Sequence, residues 1–114
     1  MSEKTQTIRQ LNDRFRAGDT TIPGQIMITR GLVDLLEESG QAPEDLMYHV
    51  RSYDRFTEEN DPHHEHDFGS FQFQGCPCFW KVDYYSPDLK WGSEDPSDPK
   101  KTARVLTVML AEEY

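Results

Sequence analysis

The sequence predicts an α+β fold, in which an antiparallel sheet of about four strands carries two or three helices packed on it. Three observations lead to this prediction. Apolar residues follow a helical period in the first part of the chain, aromatic residues alternate with polar ones further on, and a mostly apolar run lies near the C-terminus. With 114 residues, the chain fits a single domain, residues 1–114, around one modest core.

The N-terminal part predicts a helix, a strand and a second helix. Three apolar residues at spacing i, i+3 and i+7 indicate an amphipathic helix that ends at Gly18. Residues 25–29 follow a Pro-Gly pair and form a short β-prone run. An apolar stripe over residues 32–36 then indicates a helix that ends near Gly40. The apolar residues of the first helix are Ile8, Leu11 and Phe15.

A further helical turn is predicted to open at Pro43, because proline suits the first position of a helix. Its end is ambiguous, since residues 50–56 alternate enough to form a strand instead. The sequence therefore leaves the boundary between helix and strand open in this segment.

The C-terminal half predicts a hairpin and a central strand. Phenylalanines alternate with polar residues over residues 70–74, residues 79–85 are rich in aromatics, and a glycine and a proline lie between the two runs, as in a hairpin. Residues 86–101 contain three prolines and predict a long loop. Residues 104–111 are apolar on nearly both sides, as expected for a central strand covered on two faces.

The net charge of −9 is distributed unevenly along the chain. Residues 1–30 carry five bases and three acids, whereas residues 31–114 carry seven bases and eighteen acids, which gives the second part a charge of −11. Such a surface repels nucleic acid and membranes and favours basic partners, including nucleic-acid-binding proteins. The alternative interpretation is that the charge serves solubility alone.

Two further features bear on the location of the protein. The sequence has no run of about 18 apolar residues, and its N-terminus is polar, so we expect a cytoplasmic protein that does not enter a membrane. Cys76 and Cys78 flank a proline, which would strain a bridge between them, and they lack the C-x-x-C spacing of redox sites. We expect both to be reduced thiols.

Residues 57–69 hold five acids and three histidines and form the main candidate for chemistry. His64 and His66 would share one face of a strand, and with Asp67 they would offer ligands to a divalent metal. Alternatively, Asp67 or Asp83 orients His66 as an acid or base. The structural alternative is that His66 and Asp67 donate and accept hydrogen bonds that hold a loop before the next strand.

Seven short segments stand out together: Leu11-Asn12-Asp13-Arg14-Phe15-Arg16, Thr29-Arg30-Gly31, Asn60-Asp61-Pro62, Glu65-His66-Asp67-Phe68-Gly69, Lys81-Val82-Asp83-Tyr84-Tyr85, Arg104-Val105-Leu106-Thr107 and Met109-Leu110-Ala111-Glu112-Glu113-Tyr114. They resemble a bacterial family catalogued only as a domain of unknown function. The resemblance implies a protein often associated with mobile elements, and small acidic proteins of that kind include inhibitors of host defence systems. His66 lies inside the resembling pattern, whereas His63 and His64 occupy positions that the pattern leaves free.

Two functions follow from these observations as hypotheses. The first is an acidic protein-binding module without a cofactor, which docks on a basic or nucleic-acid-binding protein and mimics nucleic-acid charge. The second is a small metal-binding protein or hydrolytic enzyme centred on His64, His66, Asp67 and Asp83. The sequence leaves the oligomeric state open. The predicted partner-binding residues of the first hypothesis are Glu58, Glu59, Asp61, Glu65, Asp67, Asp83, Glu94 and Asp95.

Overall fold

The structure, a computed structural model, describes residues 2–114. These residues form three α-helices and a four-stranded sheet, which confirms the predicted α+β fold. The elements in chain order are α1 (Glu3–Ala17), β1 (Gly24–Ile28), α2 (Arg30–Ser39), α3 (Pro43–Arg51), β2 (Phe68–Phe73), β3 (Cys76–Tyr85), a 3-10 turn (Pro99–Lys101), β4 (Ala103–Leu110) and a last 3-10 turn (Ala111–Glu113).

The strands lie in the order β1-β4-β3-β2. β2 pairs antiparallel with β3, and β3 pairs antiparallel with β4, as predicted. β1 instead pairs parallel with β4, so the sheet is mixed rather than antiparallel throughout. Parallel neighbours need a long crossover connection, and the chain between β1 and β4 includes α2, α3 and the whole β2–β3 hairpin.

The helix ends follow local sequence signals. Gly18 ends α1 in the left-handed region at φ 108°, and its N–H donates to the carbonyl of Phe15 at 3.0 Å. Gly40 ends α2 in the same way at φ 71°. Both ends agree with the prediction. The open boundary after Pro43 is resolved in favour of the helix, because α3 continues to Arg51 and residues 52–56 form no strand.

All three α-helices contribute side chains to a core on one face of the sheet. Alternate residues of each strand enter this core, and Trp80 at its centre is fully buried. Gly69 is required opposite Trp80, because a Cβ there would lie 2.4 Å from the indole nitrogen. The sheet residues of the core include Phe71, Phe73, Cys78, Trp80, Val82, Leu106 and Val108.

The remaining alternate residues form the opposite face, which we call the open face. Tyr114 packs on its Phe68 and Phe79, and Leu89 lies over its other end beside Met27 and Val105. β4 is nevertheless buried on both sides, as predicted for a central strand. The open face consists of Gln25, Met27, Phe68, Ser70, Gln72, Pro77, Phe79, Lys81, Asp83, Tyr85, Ala103, Val105, Thr107 and Met109.

Residues 86–98 form the predicted long loop. Cys76 and Cys78 are free thiols, and burial raises the pKa of Cys78 to about 11. None of the helices within residues 2–114 is both long and apolar enough to cross a membrane.

Candidate functional site

A buried polar cluster lies on the helix side of the sheet, where α1 crosses β3 and β4. Asn12 of α1 is fully buried at its centre. Its amide donates to the backbone carbonyl of Glu65 at 2.9 Å and to the hydroxyl of Tyr84 at 2.7 Å, and its oxygen accepts from Nε of Arg104 at 2.7 Å. The whole cluster consists of Asn12, Asp13, Arg16, Asp61, Glu65, His66, Tyr84 and Arg104.

Arg104 is also fully buried, and its hydrogen-bond partners come from α1 and from the loop after β3. Besides Asn12, it donates to the carbonyl of Pro96 at 2.7 Å, and its guanidinium lies over the ring of Tyr84. Asp83 lies on the open face, whereas Arg104 and Tyr84 are register partners on the helix side. Burial lowers the pKa of Arg104, although Tyr84 and Glu65 oppose that effect.

Tyr84 connects Arg104 to the acidic run of the chain. Its hydroxyl donates to Oε1 of Glu65 at 2.7 Å. Burial, followed by this hydrogen bond to a carboxylate, raises the pKa of the Tyr84 phenol. Tyr84 therefore stays a neutral hydrogen-bond donor at physiological pH.

His66 occupies the rim of the cluster, between two carboxylates. Its Nδ1 lies 2.8 Å from Oδ1 of Asp13, and its Nε2 lies 3.6 Å from Oδ2 of Asp61. The imidazole stacks on Phe56 at 3.7 Å between ring centres. The suggestion that Asp67 or Asp83 orients His66 was wrong, since Asp13 and Asp61 contact its ring.

The backbone that presents His66 is unusual. His64 and His66 have φ values of 60° and 54°, a left-handed conformation that few residues other than glycine adopt. Asp61 holds this turn, because its Oδ1 accepts from the N–H of His66 at 3.1 Å. His64 and His66 therefore do not lie on a strand, and strained positions of this kind concentrate at functional sites.

A hollow of about 360 Å³ opens beside His66. It contains two basic groups other than His66, namely Arg9 and His64, together with two carboxylates and the ring of Phe56. Such a mixture can bind a small polar molecule and exchange a proton with it at His66. The lining residues are Arg9, Phe56, Thr57, Glu58, Asp61, His64 and His66.

Arg16 fixes the wall of this hollow. Its Nη1 donates to the carbonyls of Val50 and Tyr53 at 2.8 and 3.0 Å, so it caps the end of α3. Its Nη2 donates to Asp13 at 3.2 Å, and its guanidinium lies over the rings of Phe56 and Trp80. Burial lowers the pKa of Arg16, while Asp13 opposes this effect.

The predicted metal ligands are not brought to one point. Nε2 of His64 lies 3.6 Å from Glu58, whereas His66 is directed at Asp13 and Asp61. Within residues 2–114, no group of three or more His, Cys, Asp or Glu side chains is arranged to hold a metal ion. The metal site at His64, His66 and Asp67 stays a prediction without a geometric basis in this part of the chain.

The eight predicted partner-binding acids lie in different environments. Glu58, Glu59 and Glu94 are exposed, whereas Asp61 is buried. Glu65 and Asp67 are partly buried beside the polar cluster, and burial followed by the nearby Glu65 charge raises the pKa of Asp67. Asp83 pairs with Lys81 on the open face, and Asp95 lies 3.5 Å from Lys4. The acids therefore do not form one continuous exposed surface.

The open face is a second candidate surface. Tyr114, which packs on this face, retains 74% of its accessible surface, and Met27, which belongs to the face, retains 52%. Leu89 is also exposed, and Trp91, two residues further along the same loop, is 73% exposed. Aromatic rings and a methionine that remain in solvent are typical of protein-binding surfaces.

Sequence reasoning missed several residues of the polar cluster. Asn12, Asp13 and Arg16 were named only within a resembling segment, and the helical pattern of α1 gives no signal for their contact with residues more than 30 positions away. The resembling segments were the one signal available. Residues from five of those seven segments meet in the cluster, although they are distant along the chain.

Comparison with known proteins identifies a family. No curated protein matches the chain, and no solved structure matches it. The family model described as "Protein of unknown function (DUF3768)" matches residues 28–113, which include His66, Tyr84 and Arg104 but not the residues of α1. The expected resemblance to a family of unknown function is thus confirmed. The chain belongs to the DUF3768 family.

Proposed function

We propose that the protein is a protein-binding module that docks through the open face of its sheet. One observation carries the proposal: large apolar side chains, including Tyr114, Met27 and Leu89, remain exposed over this face. Exposed aromatic and methionine side chains bury much apolar area on association and lose little conformational freedom relative to longer charged residues.

The charge of the protein supports a basic partner. A net charge of −9 favours encounter with a positively charged protein, and the apolar open face would then provide the buried centre of the contact. On the open face itself, Asp83 is already paired with Lys81, so the acids that steer a partner lie elsewhere on the protein. The partner class is therefore a basic or nucleic-acid-binding protein with an exposed apolar patch.

Inhibition of a bacterial defence nucleoprotein is the narrower form of this proposal. It is supported by the acidic charge and by the family context that the sequence resemblance implies. Its test is an infection assay in which cells with an active CRISPR or restriction system express the protein. Restored phage growth would support inhibition, whereas unchanged growth across a panel of such systems would contradict it.

Site-specific photo-crosslinking tests the docking face. Tyr114 and Tyr48 form a matched pair, because they are tyrosines with 74% and 68% exposure, and Tyr48 lies on α3 at the helix side. A photoreactive phenylalanine at position 114 should capture a defined partner in bacterial cells, and the same residue at position 48 should not. Equal capture from both positions would contradict docking through the open face.

A salt series sharpens the same test. Docking that combines an apolar centre with acidic steering should associate more slowly at high salt, while its dissociation rate changes little. Binding that disappears at moderate salt irrespective of Tyr114 would instead favour the exposed acids Glu58, Glu59 and Glu94 as the contact residues.

Proton transfer at His66 is the second candidate function. The observation that favours it is the setting of His66, which lines the hollow of about 360 Å³ while Asp13 holds its Nδ1 at 2.8 Å and its Nε2 lies 3.6 Å from Asp61. A carboxylate on one ring nitrogen orients the imidazole and leaves the other nitrogen to accept a proton from a bound molecule. The reaction class is acid–base hydrolysis of a small polar substrate.

This candidate is tested with chromogenic esters and phosphodiesters, together with a determination of bound metal. Any hydrolysis by the wild type should be lost in His66→Gln and retained in His63→Gln, because His63 is exposed and does not line the hollow. Activity that survives His66→Gln would exclude this residue as the acid–base group. Stoichiometric metal in the wild type that is lost in His64→Gln would support the predicted metal site at His64, His66 and Asp67.

A further inference from the structure

β1 forms an edge of the sheet with a free hydrogen-bonding side. The N–H of Arg104 donates to the carbonyl of Pro23 at 3.1 Å, and the N–H of Thr29 donates to the carbonyl of Val108 at 3.0 Å. Backbone groups alternate in direction along a strand, so the odd-numbered residues of β1 face β4. The N–H and C=O groups of Gly24, Ile26 and Ile28 therefore face away from the sheet.

The other edge of the sheet is different. The outward carbonyl of Ser70 in β2 accepts from Nη2 of Arg55 at 3.2 Å, so a charged side chain lies across that edge. β1 has no comparable protection, because its sequence Gly24–Ile28 contains neither a charge nor a proline. Ile26 and Met27 are 43% and 52% exposed on it. Proteins usually block exposed apolar edges unless the edge is used for pairing.

The charge distribution indicates what pairs with this edge. Residues 20–29 carry no charge, although the chain as a whole carries −9. Two copies of the protein repel each other over most of their surfaces, but this stretch adds no repulsion when it meets itself. An uncharged edge in an acidic protein is thus suited to a second copy.

We propose that β1 pairs antiparallel with β1 of a second copy, about a two-fold axis at Ile26. In this register Ile26 lies opposite Ile26 of the second copy, and the two exchange backbone hydrogen bonds. Gly24 lies opposite Ile28, so a residue without a side chain faces a branched one. A hollow of about 310 Å³ beside Gly24, lined by Phe15 and Ile22 among others, provides room for that isoleucine.

The dimer would join two four-stranded sheets into one sheet of eight strands. A two-fold axis perpendicular to the sheet places both open faces on the same side, with Met27 of each copy next to Gln25 of the other at the centre. The binding surface proposed above would then be doubled and continuous. The dimer itself does not depend on that function, because it requires only β1.

Sedimentation velocity over a concentration series tests the dimer. The wild type should show a concentration-dependent exchange between monomer and dimer. Ile26→Lys should raise the dissociation constant about tenfold or more, since two lysines meet at the axis and each factor of ten corresponds to about 1.4 kcal/mol. The matched control is Gln72→Lys, which adds the same charge to the outward-facing, exposed position of the other edge strand and should leave the dimer unchanged.

Hydrogen exchange on the wild type provides a test without substitution. The amides of Ile26 and Ile28 should exchange more slowly at high protein concentration than at low concentration, while exposed amides on α3 do not change. Three results would overturn the proposal: a wild type that stays monomeric at its solubility limit, a folded Ile26→Lys variant that dimerises as well as Gln72→Lys, or unchanged exchange at Ile26 and Ile28 in the dimer.

Discussion

The two faces of the sheet are formed by alternate residues of the same strands, but they differ in how far their polar and aromatic side chains are buried. On the helix side, Tyr84 and Arg104 are register partners. The Tyr84 hydroxyl forms hydrogen bonds with Asn12 and Glu65, and Nε of Arg104 donates to Asn12, while Nη1 of Arg104 is buried without a hydrogen-bond partner. On the open face, the next residues along, Tyr85 and Ala103, pair beside the exposed Leu89.

This difference separates the residues that stabilise the fold, on the helix side, from the residues that are available for binding, on the open face. Polar groups that are buried with satisfied hydrogen bonds specify one arrangement of α1 on the sheet, and their loss leaves unpaired groups inside the protein. Exposed aromatic side chains such as Tyr114 contribute little to folding, so the presence of Tyr114 over the open face is better explained by association. Substitutions on the two faces should therefore affect different measurements.

The largest effect is expected from Asn12→Ala. It leaves Nε of Arg104 and the hydroxyl of Tyr84 each without one buried partner, and it opens a small cavity. The free energy of unfolding should fall by about 2–4 kcal/mol. Urea denaturation measures the change, with Gln10→Ala at an exposed position of the same helix as the control. A loss comparable to that of the control would show that the polar cluster does not stabilise the fold.

An intermediate effect is expected where the C-terminal turn meets the start of α2. Glu113 accepts from Oγ1 of Thr29 at 2.6 Å, from the N–H of Gly31 at 3.0 Å and from the N–H of Leu110 at 2.9 Å. A Cβ at Gly31 would lie 2.8 Å from the Glu113 carboxyl and from Cδ1 of Leu110, so these side chains would have to shift. Glu113 thus caps α2 from a distant part of the chain.

Glu113→Gln should lower the free energy of unfolding by less than about 1 kcal/mol, since the carboxylate is exposed and solvent screens it. Burial alone would raise the pKa of Glu113, but the hydrogen bonds from Thr29, Leu110 and Gly31 lower it overall. The contribution is therefore present above the unfolded pKa and is lost as the pH falls through the folded pKa. The free energy of unfolding of the wild type and of Glu113→Gln is measured against pH. A difference between them that stays the same at every pH would contradict this role of the Glu113 carboxylate.

Much of the fold follows from residue patterns. The helical spacing of Ile8, Leu11 and Phe15 predicted α1, and Gly18 and Gly40 marked the helix ends because both adopt positive φ. β4 was recognisable because a central strand is apolar on both faces. The parallel pairing of β1 with β4 was not predictable, because it depends on how the crossover packs rather than on any local pattern.

The site was predicted less well than the fold. The cluster of histidines and acids was located correctly along the chain, but the partners of His66 were not predicted. Asp13 lies 53 positions away, on the polar side of an amphipathic helix. The assumption of a strand at His64 and His66 failed for a related reason. Their left-handed backbone is held by Asp61, and sequence patterns carry no information on such a turn when it contains no glycine.

A small gain in stability is expected from Asp67→Asn at the edge of the polar cluster. Burial, and then the Glu65 charge, raises the pKa of Asp67 above its unfolded value. The folded protein thus binds this proton more tightly, so a penalty develops as the pH rises through the unfolded pKa and is complete above the folded pKa. At neutral pH the variant should be more stable by less than about 1 kcal/mol, and the gain should vanish in acid. A loss of stability would show that the carboxylate is needed.

The smallest effect on the free energy of unfolding is expected for the exposed aromatic residues Trp91 and Tyr114. Trp91→Ser should change the free energy of unfolding by no more than about 0.5 kcal/mol, because 73% of the side chain is in solvent. Tyr114→Ser should behave similarly, apart from its edge-on contacts with Phe68 and Phe79. Thermal melts measure both. If either variant were destabilised as strongly as Asn12→Ala, the aromatic residues would be part of the core, and their exposure would no longer support binding. If both melt like the wild type while crosslinking at position 114 depends on Trp91, folding and binding are carried by separate faces of one sheet.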